Sequence, residues 1–412
     1  MTRFQGMIAL VLTSTLAAVA TSATQDRGNN RSTSQPATPA KAAGEDWRDA
    51  ERTYLEYHVQ LTSFDRFLKA GEAYFSPDDS KVIFQAIEVP ADGEDPEEFY
   101  QMFVADFTHD WTGAINGITN IKQLSPPGSS NTCGWFHPTN KDVVIFGTTI
   151  VPPSAPNRSG YQRSGSRNYV WQFPQEMTIV ECKLSEADGT AASLTPIVSD
   201  PDSYLAECAL SPDGRHLVYC SRNVTEGDQG GDLRIRDLQT GRDVVVAGND
   251  GYDGGPFFSP DGRRICYRSD RVGNDLLQIF VSELAFDEDG SCVGLSREFQ
   301  LTDNAHVNWA PFWHPNSRFL VYATSEVSHR NYEVFIVDAD QGAVDRPARY
   351  GTRVRRVTHA PGFDGLPVFN TDGSLMMWTG QRDENRTSQL WLARFVMDID
   401  GTKSTGRSGY GR

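Results

Sequence analysis

Sustained helical periodicity is missing from this 412-residue chain, which leaves strands as its main element. There is no Gly-x-Ser-x-Gly elbow, no His-Glu-x-x-His pair and no glycine-rich phosphate loop, so three common catalytic signatures are absent. Cysteine is scarce. The six present show no Cys-x-x-Cys pair for zinc and no framework spacing. Cys208 and Cys220 flank one hairpin and are the pair best placed for a disulfide; the other reading makes them small buried residues. Positive charge is also short. Against 54 Asp and Glu stand 38 Lys and Arg, a net charge of −16. That balance excludes nucleic acid and anionic membranes as partners and favours cationic ligands or basic surfaces.

What the chain does have is a repeated phrase. "FFSPDGRRICY" at 257–267 places Ser-Pro-Asp-Gly between two apolar runs. Proline presets the first corner of a turn and glycine closes a tight hairpin with a left-handed residue. The phrase returns five more times, with turns opening at Ser76, His137, Ser211, His314 and Asn370 besides Ser259. Gly214, Gly262 and Gly373 are expected at positive φ, with Asn140 in the same slot. Asp79 and Ser317 depart from the pattern and predict looser turns. Capping explains the two histidines at turn openings. Eight residues on stands an aromatic: Phe84, Tyr219, Tyr267, Tyr322 and Trp378, with Phe146 one place late. This column reads as packing between neighbouring units.

Each copy continues with a third strand, such as "QMFVADF" or "QIFVSEL", and then a short fourth one. Five fourth strands follow the six copies, and the sixth is "HVQLT" at 58–62, ahead of the first copy. The expectation is an all-β, six-bladed β-propeller with four antiparallel strands per blade, closed by an N-terminal strand. Its predicted extent is 46–401, with 46–57 opening as one short helix. Residues 1–20 read as a signal peptide: an early Arg3, an apolar run too short to span a bilayer, then "AVA". Residues 21–45 read as a flexible linker and 402–412 as a disordered tail.

Two sets of residues are candidate sites. Six positions before each turn opening stand Ala70, Asn131, Leu205, Asp253, Asn308 and Asp364, with Glu72 and Glu207 two places further on. Asn131, Asp253, Asn308, Asp364, Glu72 and Glu207 would either cap loops between blades or ring the channel mouth as a ligand site. A bound cation such as calcium would fit the second reading. The other set lies in an insertion at 150–176 holding Arg158, Tyr161, Arg163, Arg167, Tyr169 and Trp171, residue types favoured at interfaces. His306 and His359 sit in loops where a metal site could form, without a defined third ligand.

The phrases "FFSPDGRRICYRSDR" and "RRVTHAPGFDGLPVFNTDGSLMMWTGQR" resemble the TolB-type propeller repeat, a WD-like repeat of exported bacterial proteins. The resemblance covers about 58–398. It implies the propeller fold and export to the periplasm or medium. The repeat also serves transport accessories, peptidase propellers and sugar-processing enzymes. TolB proteins carry a further N-terminal α/β domain, for which Thr21 to the first strand leaves no room. Peptidases with similar propellers add a hydrolase domain, which is not seen after the repeats. Similar oligogalacturonate lyases hold a metal with several His and a Gln, a set not located here. The expected function is a monomeric, exported, non-enzymatic scaffold for a protein or peptide partner, without a membrane span or a required cofactor. The alternative is a metal-assisted carbohydrate lyase or hydrolase with its site at the channel mouth.

Overall fold

The Ser-Pro-Asp-Gly phrases do form hairpins, and the hairpins build the molecule. The computed structural model describes residues 46–154, 162–163, 169–170, 174–186, 193–223, 230–248, 251–274, 276–339 and 351–396. Six four-stranded antiparallel sheets are the blades of a propeller. Their inner strands are Phe67–Phe75, Asn131–Phe136, Ser203–Leu210, Asp253–Phe258, Asn308–Trp313 and Asp364–Phe369, which number blades one to six. The sixth sheet takes its outer strand from Leu55–Gln60, which pairs with Gln389–Phe395, Gln60 opposite Trp391. The helix expected over 46–57 stops at Glu51, after which the chain turns into that strand three residues before the expected start.

The turns are more uniform than the sequence suggests. Asp79, Gly214, Gly262, Ser317 and Gly373 all have positive φ, between 57° and 74°. Each donates its N–H to the carbonyl of the residue opening the turn. Asp79 and Ser317 are therefore not in looser turns. The preceding Asp78 and Asn316 side chains accept the N–H groups of Ser80 and Arg318, and so support the corner. Asn140 is not in the left-handed region. Its turn is longer, closing from Val143 N–H to Asn140 carbonyl, which accounts for the late Phe146.

Neighbouring turns touch all the way round the ring. Lys141 pairs with Asp78, and the His137 ring lies against Gly214. Pro212 meets Gly262, and Arg264 donates to the Ser317 carbonyl. His314 lies against Gly373, and Asn370 and Thr371 bond Asp79. The histidines at turn openings thus pack on the glycine of the next blade. The aromatic column is buried between sheets: Phe84, Phe146, Tyr219, Tyr267, Tyr322 and Trp378 are all at most 2% exposed. No helix among the described residues is long and apolar enough to cross a membrane.

Candidate functional site

All six inner strands carry a bulge at one place. The residue four before the turn opening is Glu72, Cys133, Glu207, Gly255, Ala310 or Leu366, and each has positive φ, between 43° and 58°. At each the pairing to the second strand jumps. A bulge inserts one residue and re-aims its side chain. Here it turns Glu72 and Glu207 into the middle of the ring. Five of the six are not glycine, so turn chemistry could not announce the bulge.

Two carboxylate centres result. Glu207, in blade three, accepts the Tyr252 hydroxyl at 2.6 Å, the Gly255 N–H at 2.7 Å and the Arg268 guanidinium at 2.9 Å. Arg268 also donates to Tyr252 and lies near the Trp309 ring. Small residues make this possible. A Cβ on Gly254 would stand 2.0 Å from the Tyr252 hydroxyl, and one on Gly255 2.1 Å from the guanidinium. Glu72, in blade one, has a different environment. It accepts the Cys133 thiol at 2.9 Å, the Tyr74 hydroxyl at 3.2 Å and the Thr132 hydroxyl at 3.3 Å. Burial raises the Glu72 carboxyl above its ordinary value; Cys133 and Arg268 oppose that rise and Glu207 adds to it. Burial, with Glu72 next, holds the Cys133 thiol far up, so it remains an S–H donor.

Below these carboxylates the axis is blocked. Tyr74, Trp135, Phe257 and Phe312, each two before a turn opening, bring their rings together with centroids 5.1–6.3 Å apart. Tyr74 and Phe257 come from opposite blades, so the rings meet on the axis. Among the described residues the axis forms a blind cup, with its carboxylates on the side where the inner strands begin. Glu72, Thr132, Cys133, Trp309, Phe363 and Leu366 stay partly exposed in it. The floor rings share one repeat position, two before the turn opening, but it is aromatic in only four of the six copies; Tyr252 and Arg268 stand at repeat positions whose residue types vary, so neither gave a signal.

Of the two roles expected for the Asp and Asn column, the contacts lie nearer to capping between blades than to a ring at the channel mouth. Asn131, Asp253, Asn308 and Asp364 open their inner strands but are at most 4% exposed. Asn131 donates to the Tyr100 carbonyl and Asn308 to Gln278, both of the preceding blade. Asp253 pairs with Arg271. Asp364 pairs with Arg382, which also holds Glu51 of the N-terminal helix. Burial pushes the Asp364 carboxyl up to about 6 against the pull of Arg382. The structure therefore separates these four from Glu72 and Glu207, because a buried polar group must find its partner in the protein. Cys208 and Cys220 are both free, and they pack on opposite faces of their sheet. Among the described residues no three His, Cys, Asp or Glu side chains converge as a metal site, including around His306 and His359. In the insertion, Gln162–Arg163 pairs with Tyr169–Val170. Arg158, Tyr161, Arg167 and Trp171, and the side chains of Arg163 and Tyr169, lie outside the described residues.

No family model matches the chain. It is 29% identical over 141 residues to an uncharacterized protein of Agrobacterium fabrum, covering 33% of this chain and 43% of that one. It is 37% identical over 93 residues to dipeptidyl-peptidase 5 of Porphyromonas gingivalis, 21% of this chain and 14% of the other. The chain thus matches less than half the length of these curated relatives. Similar solved structures include TolB from Acinetobacter baumannii, with TM-score 0.48 and 18% identity over 76% of this chain and 64% of that one. A putative TolB from Agrobacterium tumefaciens gives 0.43 and 16% over 79% and 90%. An oligogalacturonate lyase from Vibrio parahaemolyticus gives 0.44 and 15% over 82% and 81%.

Proposed function

We propose that this propeller is an exported, non-enzymatic scaffold that binds a peptide or protein segment in its axial cup. The blind floor carries this reading. Rings closing the axis make a concave, part-apolar site with a few polar groups at its wall, the usual form of a ligand pocket. The acidic balance of the chain suits a basic partner. A match to a protein named dipeptidyl-peptidase 5 is in keeping with a peptide ligand. The insertion with Arg158, Tyr161, Arg163, Arg167, Tyr169 and Trp171 would add a second contact outside the cup.

Two experiments test it. Expressed in a bacterial host, the full chain should reach the periplasm or medium, with a mass showing cleavage after Ala20. An uncleaved cytoplasmic product would refute export. Heptapeptides selected by display on the purified propeller should bind it in calorimetry. Thr132→Trp, which fills the cup, should weaken them about tenfold or more. Undiminished binding to that variant would move the site out of the cup.

A further inference from the structure

We propose that the cup takes a primary ammonium group, with the Glu72 carboxylate as its counter-ion; this rests on the peptide-binding reading above. The two carboxylates in the cup are served differently. Glu207 has a guanidinium within hydrogen-bond distance. Glu72 has a thiol, a phenol and an alcohol, all neutral donors. With both carboxylates ionised and Arg268 charged, the group carries one surplus negative charge. One monovalent cation beside Glu72 balances it.

The surroundings select the kind of cation. A divalent metal would want several ligands, and no three His, Cys, Asp or Glu side chains converge among the described residues. An ammonium is compact and has three donors. One can reach Glu72, and the aromatic floor beneath can attract the charge wherever a ring presents its face. Tyr74 joins the two features, since its ring belongs to the floor and its hydroxyl bonds Glu72. Thr132 and Cys133, partly exposed beside that carboxylate, leave it reachable from the cup. The raised pKa of Glu72 agrees with this arrangement: burial disfavours the anion until a cation arrives. Binding should then release a proton where Glu72 is partly protonated.

The test uses the whole purified chain and four probes in calorimetry: Ala-Phe-Ala with a free amino terminus, its N-acetyl form, N-acetyl-Ala-Lys-Ala-amide, and butylammonium chloride. The free tripeptide should bind about tenfold to a hundredfold more tightly than its acetylated form, the size of a hydrogen bond between charged groups. Titration in two buffers of different ionisation enthalpy should show proton release. Glu72→Gln should reduce the preference to about threefold or less, and Thr132→Lys, a tethered ammonium, should abolish binding. The lysine probe decides the source: tight binding assigns a side-chain amine, weak binding an amino terminus. Equal affinity for free and acetylated tripeptide, together with no tighter binding of the lysine probe, would overturn the ammonium assignment while leaving the peptide reading intact. Binding of butylammonium but of no peptide would do the reverse. Failure of all four probes would overturn both. The wild-type comparison needs no variant to fold.

Discussion

At Gly255 one hydrogen atom occupies a place where any side chain would strike the Arg268 guanidinium. The backbone there is also left-handed, at φ 58°. Gly255→Ala should cost about 1–3 kcal/mol in chemical denaturation, through overpacking. It should also move Arg268 off Glu207. His314 gives a second test at this scale. Its ring lies 4.8 Å from Phe369, and burial pushes its pKa down to about 4. An unfolded histidine titrates near 6.5, roughly. The folded state therefore resists a proton that the unfolded state accepts. The stability concerned is fully present above the unfolded value and is lost as pH falls towards 4. The effect is worth about 1.4 kcal/mol per unit of difference. His314→Ser, the residue of three other copies, should lower the melting temperature at neutral pH and flatten its fall between pH 6.5 and 4. An unchanged slope would exclude His314 as a source of acid lability.

Between elements, the recurring device is a glutamine opening a third strand and a polar residue opening the next inner strand. Gln101 bonds the Ser129 carbonyl and meets Asn131; Gln278 bonds the His306 carbonyl and accepts from Asn308. In blades one and four these contacts tie the blade to the loop that leads into its neighbour. Gln389 repeats the arrangement on the Phe67 carbonyl, but Ala70 replaces the asparagine and the Gln389 Oε1 is unpaired. Asn131→Ala and Asn308→Ala should each cost about 1–3 kcal/mol, the penalty of stranding buried partners. Denaturant midpoints should fall for both. If either variant matches the parent, the asparagine is not a clamp and its conservative reading fails.

For the molecule as a whole, the N-terminal segment has a disproportionate part. Leu55–Gln60 covers the edge of Gln389–Phe395, and Glu51 accepts both arms of Arg382, which lies between Trp47 and Trp378. An exposed strand edge invites pairing with other chains. A chain beginning at residue 46 should melt like the full chain. One beginning at 63 should melt lower and aggregate, since it loses the strand and leaves Arg382 with Asp364 alone. Equal melting of the two would show that the N-terminal strand adds nothing to the ring.

Local chemistry was readable without coordinates. Proline, aspartate and glycine between apolar runs dictate hairpins, because few residues tolerate the angles that a tight turn requires. Six such phrases at similar spacing determine six blades, and the aromatic after each turn determines what lies between them. The cup was decided only in three dimensions. Its bulges fall on Glu, Cys, Ala and Leu as well as Gly, so no residue type marks them. Glu72 meets Cys133 one repeat further on and Glu207 meets Arg268 at the same separation of 61; the repeat aligns such positions but does not say which of their side chains will bond. The same limit left Asp253 and Asp364 between capping a loop and facing the channel mouth. Which way a polar side chain turns depends on the partners that packing brings beside it, and Arg271 and Arg382 reached these two first.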